Sequence, residues 1–441
     1  MQMLPMLKVL FTRAVGLGLQ LLLTLVMGRY LGAAGVGQFT LYITWMVTLG
    51  CVGDMGLPTV ALRNVSVSEE RRQYKQIFAY ITQALARLLL FGTLAAVVLI
   101  TAADYFAHFA TSDATLLSLF QMAVGAAVVF ILMRVLSETL KGLGYINLAF
   151  TIDTSLLPLL LLLVMGVSWL LESPLSVFQL IASHITFTVL IVLLLATVFF
   201  VILRRALAAS PPTLPSNASP HPPESLFSRR LVPVWIGGCL GMLSLNLPVL
   251  FLPLYANAEE IGIFGVSYRL MLAGTSVLTT LASYYGPVFA RAYANQDRAR
   301  LKQSLKHSQK VSLLVYLPFF LLFTLFSEPL LALFGDEFTA GASLLTIMVF
   351  GQLVNTSTGL VGILLNMIHR EKEEFIIQLS NLVITVVLIN VLGPLYGVAG
   401  IAAACAVSIG LKNVMSYIAA QHYLSLSDYP LPVKEANHET A

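Results

Sequence analysis

Residues 177–203 read VFQLIASHITFTVLIVLLLATVFFVIL and contain no Lys, Arg, Asp or Glu. A helix crosses the hydrocarbon core of a bilayer, about 30 Å thick, with about 20 apolar residues, so this segment is long enough to span it. The rest of the chain has the same character, because 58% of its 441 residues are hydrophobic and 10% are charged. A soluble domain carries about 25% charged residues, so the sequence predicts a membrane protein.

Twelve segments of the chain meet the same requirement of length and composition. They are 9–31, 39–62, 77–103, 116–140, 146–171, 177–203, 232–256, 261–287, 308–334, 341–366, 374–393 and 397–421. A β-barrel would instead show weak alternating segments of about ten residues. We therefore predict an all-α polytopic protein with about 12 transmembrane helices. Segment 9–31 is longer than the core of a signal peptide, and we expect it to remain as a spanning helix.

The charges between these segments predict the orientation, because cytoplasmic loops are enriched in Lys and Arg. With the N-terminus inside, the basic residues gather in the inner loops, as in the runs 71–75 and 298–310. The outer loops then hold no Lys or Arg beyond Arg29, at the end of the first segment. We predict that both termini are cytoplasmic.

A Pro-rich break divides the predicted helices six and six. Residues 204–231 contain Ser210-Pro-Pro212 and Ser219-Pro-His-Pro-Pro223 between basic ends, a composition typical of an extended linker. We predict four regions along the chain. They are an N-terminal six-helix lobe (1–203), a cytoplasmic linker (204–231), a C-terminal six-helix lobe (232–423) and a cytoplasmic tail (424–441).

The two predicted lobes share a weak internal repeat. Tyr30–Phe39 aligns with Tyr255–Phe264, and Leu140–Phe150 aligns with Leu365–Phe375 at the same separation along the chain. An even number of helices in each lobe makes the repeats parallel, related by an axis along the membrane normal. Many transporters have this organisation, with a substrate path between the two repeats.

Charged residues inside the predicted spans are candidates for function, because an ionised side chain at mid-bilayer costs about 2.5–3.5 kcal/mol or more. Arg13, Arg87 and Lys412 lie near span ends, where they fit either a functional role or a side chain that reaches the headgroups. Arg134 and Glu138 are four residues apart on one helix face, and we predict that they pair with each other.

Arginine binds phosphate through a planar fork of donors. Our hypothesis is that four arginines form a cationic cavity for an anionic head group, with two aspartates as sites for a coupling H⁺ or Na⁺ and three polar side chains lining the cavity. The arginines are Arg13, Arg87, Arg134 and Arg269, the aspartates are Asp54 and Asp153, and the lining residues are Gln20, Thr24 and Ser276. The sequence shows no catalytic motif, nucleotide-binding loop or cluster of metal ligands, so we expect no enzyme activity, bound cofactor or nucleic-acid partner.

Several short motifs resemble the polysaccharide flippases, the Wzx-type exporters of lipid-linked oligosaccharides. These belong to the multidrug/oligosaccharidyl-lipid/polysaccharide (MOP) superfamily, which also contains the MATE multidrug exporters. The motifs follow one another in the order and spacing of that family. They are Gly28–Gly32, Gly35–Phe39, Gly53–Leu57, Ile261–Leu270, Pro287–Ala290, Leu330–Gly335 and Tyr396–Gly400.

The resemblance implies two pseudo-symmetric six-helix lobes that expose a cationic cavity alternately to the two sides of the bacterial inner membrane. It implies that the substrate is an undecaprenyl-diphosphate-linked oligosaccharide, as used for O-antigen and lipopolysaccharide, and that other polysaccharide assembly proteins are possible partners. One departure is the linker Ala256–Glu260, which differs from Leu31–Gly35 in the first lobe. A multidrug exporter of the same superfamily and a membrane polysaccharide polymerase or ligase remain alternatives.

Overall fold

The computed structural model describes residues 3–110, 114–209 and 231–425, and every element in them is helical. The chain divides into two compact units, Met1–Leu250 and Phe251–Ala441. Most of the Pro-rich segment and the C-terminal tail lie outside the described residues. The predicted lobe boundaries therefore stay predictions.

The first unit contains eight α-helices in its described residues, and a π-helical segment, Thr151–Leu156, joins the fifth to the sixth. The helices are α1 (Met3–Gly53), α2 (Leu57–Glu70), α3 (Tyr74–Ala110), α4 (Ala114–Gly142), α5 (Ile146–Phe150), α6 (Leu157–Leu170), α7 (Val177–Ala209) and α8 (Leu231–Phe251). The buried core lies between α2, α3, α4 and α7, with Ile81, Leu136 and Phe199 at its centre.

The second unit contains six α-helices in its described residues, together with the 3₁₀ segments Leu252–Leu254 and Asp336–Gly341. The helices are α9 (Ala258–Ala294), α10 (Arg298–Leu325), α11 (Ser327–Ala332), α12 (Ala342–Thr358), α13 (Val361–Met367) and α14 (Glu371–Ser425). Phe289, Leu364 and Ala420 belong to a core formed by α9, α10, α13 and α14. Many large apolar side chains face outward, such as Leu314 at 70% exposure, as expected for a surface in contact with lipid.

Nine helical segments of the described chain are long and apolar enough to cross a membrane. Two of them each contain two predicted spans, because α1 and α14 are each two helices joined at a kink. The kinks lie at Gly32 (φ 67°) and Gly397 (φ 58°), where the backbone is not helical. A straight helix of the 55 residues of α14 would measure roughly 80 Å, far more than a bilayer. Predicted span 261–287 lies in α9, which is not among the nine. The all-helical prediction is confirmed, and the count of 12 stays a prediction.

The predicted internal repeat corresponds to the same local structure in both units. Gly144 (φ 86°) and His369 (φ 59°) occupy matching positions of Leu140–Phe150 and Leu365–Phe375, and both have left-handed backbone. In each turn the next amide donates back to the first leucine, from Tyr145 to Leu140 O at 3.0 Å and from Arg370 to Leu365 O at 2.8 Å. Such bonds satisfy the carbonyls at the end of a helix.

The second repeated motif begins with a tyrosine that plays the same packing role in each unit. The Tyr30 hydroxyl is bonded to Ser168 Oγ at 2.6 Å, near the end of α6. The Tyr255 ring packs against Gly393 of α14, which is the position that matches Ser168 in the repeat. The linker that departs from the repeat starts α9 with a reciprocal capping box formed by Asn257 and Glu260.

Candidate functional site

Asp54 and Arg134 form an ion pair in the first unit. Asp54 follows the last residue of α1, in a short break where Met55 (φ 49°) and Gly56 (φ 73°) have left-handed backbone. Gly56 N–H donates to Asp54 Oδ1 at 2.8 Å, and Arg134 Nη1 on α4 donates to Asp54 Oδ2 at 2.7 Å. The side chains are 8% exposed for Asp54 and 30% exposed for Arg134. The aspartate is therefore buried, while the guanidinium stays partly accessible.

The last turn of α1 links this pair to α8. Arg134 Nη1 also donates to Cys51 Sγ at 3.3 Å. The Cys51 carbonyl accepts from Trp235 Nε1 and from Cys239 Sγ, each at 3.3 Å. A Cβ at Gly56 would lie 3.2 Å from Trp235 Cβ, closer than ordinary van der Waals contact, and the φ of 73° also favours glycine here. Cys51 at the end of α1 therefore contacts both Arg134 and helix α8.

The predicted pairing of Arg134 with Glu138 is wrong. Glu138 Oε1 lies 2.7 Å from Lys141 Nζ, while Arg134 reaches across to Asp54 on the neighbouring element. The helical spacing allows the local pair, but a buried carboxylate with one backbone donor gains more from the guanidinium than the partly exposed Glu138 does. The structure thus joins a predicted substrate residue and a predicted coupling residue in one ion pair.

Asp153, the second predicted coupling residue, lies in a different charged cluster. Its Oδ2 is 3.6 Å from Lys141 Nζ, and Lys141 also lies 4.5 Å from the centre of the Phe150 ring. Asp153 belongs to the π-helical segment Thr151–Leu156, a geometry that is frequent at functional sites. Lys141 therefore holds two carboxylates, those of Glu138 and Asp153.

For the other predicted site residues, the structure gives mainly their burial and few contacts. Arg87 is exposed on α3, and Arg269 is half-buried on α9 of the second unit. Gln20 is exposed, and Thr24 is buried and donates to Gln20 O at 2.9 Å. The side chains of Arg13 and Ser276 lie outside the described residues. The four-arginine cavity remains a proposal. Within the described residues, Arg134 forms an ion pair with Asp54.

The polar face of α1 that leads to Asp54 is packed inside the first unit. Thr40, Thr44 and Cys51 are buried. The hydroxyls of Thr40 and Thr48 have no hydrogen-bond partner within the part of the chain that the structure describes. Buried polar atoms of this kind usually bind ordered water or an ion.

Sequence reasoning missed a buried acid in the second unit. Glu374 is 4% exposed and accepts from Ser416 Oγ at 3.0 Å and from Gln378 Nε2 at 3.3 Å. Lys412 Nζ lies 3.8 Å from Glu374 Oε1, so Lys412 has a defined partner inside the unit. The signal available in the sequence was the position of Glu374 at the first residue of a predicted span, where an acid is normally solvated.

The sequence profile of a family described as "Polysaccharide biosynthesis protein" matches residues 9–293. The chain belongs to this polysaccharide biosynthesis family. A second profile, MatE, matches residues 233–395, and no curated protein matches this sequence. The two matches agree with the resemblance of the short motifs.

Solved structures with the same fold come from the same superfamily. One is described as the inward-facing conformation of a multidrug resistance MATE family transporter of the MOP superfamily, with a TM-score of 0.72 at 14% identity over 95% of this chain and 98% of that chain. Another is a MOP superfamily transporter from Pyrococcus furiosus, whose reverse polarity of binding pocket is said to suggest a different function. It has a TM-score of 0.64 at 16% identity over 95% of each chain.

These findings identify the chain as a multi-pass membrane protein and a transporter of the MOP superfamily. At these identities the structural likeness establishes the fold, while the substrate depends on the site and on the family match. The predicted fold class, an all-α membrane protein similar to the MATE transporters, is confirmed, and the division into two six-helix lobes stays a prediction. The polysaccharide biosynthesis profile and the MATE neighbours are compatible with different solutes.

Proposed function

We propose that this protein is a flippase that moves an undecaprenyl-diphosphate-linked oligosaccharide from the cytoplasmic to the periplasmic leaflet of the bacterial inner membrane by alternating access. The observation that carries the proposal is the polysaccharide biosynthesis match over residues 9–293, which covers all of the Asp54–Arg134 site. The orientation, with both termini cytoplasmic, is part of the proposal and follows from the charges of the loops.

Arg134 is the residue best placed to bind a diphosphate. Its guanidinium offers five donors, and one of its terminal nitrogens is engaged by Asp54 and Cys51. A diphosphate that approaches the 30% exposed side chain would compete with Asp54 for the same fork of donors. Arg87 and Arg269, and Arg13 if its side chain faces the same path, would add charge to the cavity but are not needed for this step.

Asp54 is the candidate for coupling to an H⁺ or Na⁺ gradient. A proton or cation on Asp54 neutralises the partner of Arg134, and this frees the guanidinium for the substrate. A bound cation therefore raises the affinity of Arg134 for the diphosphate by some factor. By linkage, a bound diphosphate raises the affinity of Asp54 for the cation by that same factor. Asp153 has Lys141 as a fixed neighbour at 3.6 Å, so we place it second as a coupling site.

The chief alternative is a multidrug exporter, which the MatE match and the multidrug neighbours favour. The same ion pair separates the two functions, because a cationic drug would bind Asp54 whereas a diphosphate would bind Arg134. Loss of substrate binding in Arg134→Gln with retention in Asp54→Asn supports the flippase. The opposite pattern supports the exporter and contradicts our proposal.

Deletion of the gene in its native host tests the proposal in the cell. We expect lipid-linked oligosaccharide to accumulate on the cytoplasmic face. In spheroplasts, this oligosaccharide should resist a glycosidase that is added from outside. Unpolymerised repeat units already present outside would instead indicate a polymerase or ligase. Restoration by the wild-type gene, and failure of restoration by Arg134→Gln at equal protein level, connects the phenotype to the site.

A further inference from the structure

Helix α10 carries an exposed row of lysines that leads directly into exposed leucines. Lys302, Lys306 and Lys310 follow one another at intervals of four residues and are all exposed. Arg298–Leu325 contains no Asp or Glu, so no acid on the same helix neutralises them. The neighbouring face of the helix carries Leu301 and Leu305, which are buried in the core of the second unit, while the lysine row stays on the outer surface.

The apolar part of this face continues the same row. Leu313, Leu314, Leu317 and Leu321 are 37%, 70%, 40% and 46% exposed. At 3.6 residues per turn, these leucines and the three lysines fall within about a third of the helix circumference. The face therefore changes from cationic to apolar within one helical turn, between Lys310 and Leu313. A change of this kind places Lys310 at the boundary between the headgroups and the hydrocarbon.

The matching helix of the first unit lacks the lysines. Arg72 (φ 55°) and Gln296 (φ 57°) end equivalent turns before α3 and α10, and the backbone bonds around them follow the same pattern. Counting from these turns, Lys302, Lys306 and Lys310 correspond to three uncharged residues on α3. Those residues are Phe78, Thr82 and Ala86. The row is therefore a property of the second unit and not a general feature of the repeated fold.

We propose that this face of α10 binds anionic phospholipids of the surrounding bilayer, with the phosphate against the lysines and the acyl chains along the leucines. Charge complementarity is the basis, since each Lys or Arg near an anionic membrane surface strengthens attraction and the attraction decays within a Debye length of about 8 Å. The proposal does not depend on which solute is transported, because the row is on the outer surface of its unit.

The geometry also predicts an order among the three lysines. Lys306 and Lys302 stand about 6 and 12 Å farther from the apolar boundary than Lys310, at 1.5 Å per residue. We expect Lys310→Gln to weaken the binding of phosphatidylglycerol about fivefold, Lys306→Gln about twofold and Lys302→Gln less than about twofold. Gln has nearly the same helix propensity as Lys, so the fold of α10 should persist.

Native mass spectrometry of the full chain, titrated in detergent with phosphatidylglycerol or phosphatidylcholine, tests the proposal. The wild type should retain phosphatidylglycerol preferentially, and the combined Lys302→Gln, Lys306→Gln and Lys310→Gln variant should lose about tenfold or more of that preference. The matched control removes three exposed charges from the first unit, by Lys75→Gln, Arg204→Gln and Arg205→Gln, and should keep it. The melting temperature without added lipid confirms that each variant is folded.

Three results would overturn the proposal. The first is an unchanged preference in the triple α10 variant. The second is an equal loss in the matched control, which would mean that net charge alone attracts the lipid. The third is saturation of the row by a polyprenyl diphosphate at concentrations where phosphatidylglycerol does not bind, which would make it a docking surface for the substrate instead.

Discussion

Asp54 Oδ2 and Arg134 Nη1 lie 2.7 Å apart and join the end of α1 to α4. The pair combines a buried aspartate with a partly accessible arginine. Removal of the arginine leaves a buried charge without a partner, whereas removal of the aspartate leaves a partly accessible one. Removal of one partner from a buried pair is costly because the other charge stays buried without compensation. This asymmetry gives the pair a measurable signature that does not depend on any substrate.

We predict that Arg134→Gln destabilises the protein more than Asp54→Asn does, because it strands the buried aspartate rather than the accessible arginine. The double variant should be more stable than the sum of the single effects implies, with a coupling energy of about 1–3 kcal/mol. Urea unfolding in detergent, followed by tryptophan fluorescence, gives the four free energies of the cycle. Strict additivity would mean that the two side chains do not interact.

Gly56 should tolerate substitution less well than Gly144. Both have positive φ, at 73° and 86°, and Ala in that backbone region costs roughly 1–2 kcal/mol. A methyl group at Gly56 also meets Trp235 at 3.2 Å, whereas the space beside Gly144 is open. The midpoint of thermal unfolding should therefore fall further in Gly56→Ala than in Gly144→Ala. Equal shifts would show that the contact with α8 contributes nothing.

Gly351 lies at a close contact between α12 and α14 of the second unit. A Cβ there would lie 2.5 Å from Ala406 Cα and 2.7 Å from its carbonyl oxygen, so α12 and α14 would have to separate. We expect Gly351→Ala to lower the free energy of unfolding by about 1–3 kcal/mol, as overpacking usually does. Gly125 on α4 has open space beside it and is the control, since Gly125→Ala should leave stability equal or slightly higher. A neutral result at Gly351 would contradict the packing of these helices.

The orientation can be tested with reporter fusions at two described positions. Green fluorescent protein fused after Ala208 should fluoresce, and alkaline phosphatase fused after Glu172 should be active, because the loop charges place the first inside and the second outside. Reversed activities at both positions would exclude the proposed direction of transport.

Sequence periodicity and local alignment were sufficient for the helices and for the repeat. The turns at Gly144 and His369 have the same left-handed backbone, and short-range hydrogen bonds of this kind are determined by residues that are neighbours in the sequence. The predicted end of the first span at residue 31 agrees with the kink at Gly32, where φ is 67° and the backbone is not helical. The same reasoning left residues 32–38 outside both spans, whereas the next helix begins directly after the kink. Segment boundaries at such glycines depend on how the helices pack.

The partners of charged side chains were the least predictable part of the site. The local spacing of Arg134 and Glu138 pointed to the wrong pair, because Asp54 is 80 residues away along the chain and meets Arg134 only when α1 packs on α4. Glu374 and Ser416 meet in the same way within α14, across the bend at Gly397. Long-range contacts of this kind follow from tertiary packing, which periodicity does not encode.

The most direct test of the proposed function measures transbilayer movement of a fluorescent polyprenyl-diphosphate oligosaccharide in vesicles that contain the purified protein. The wild type should move it much faster than protein-free vesicles do. Arg134→Gln should be slower by about tenfold or more, as expected when a bond between a charged donor and a phosphate is lost, and Arg134→Lys should be intermediate. Wild-type vesicles no faster than empty ones, or an Arg134→Gln variant as fast as the wild type, would contradict the proposed flippase.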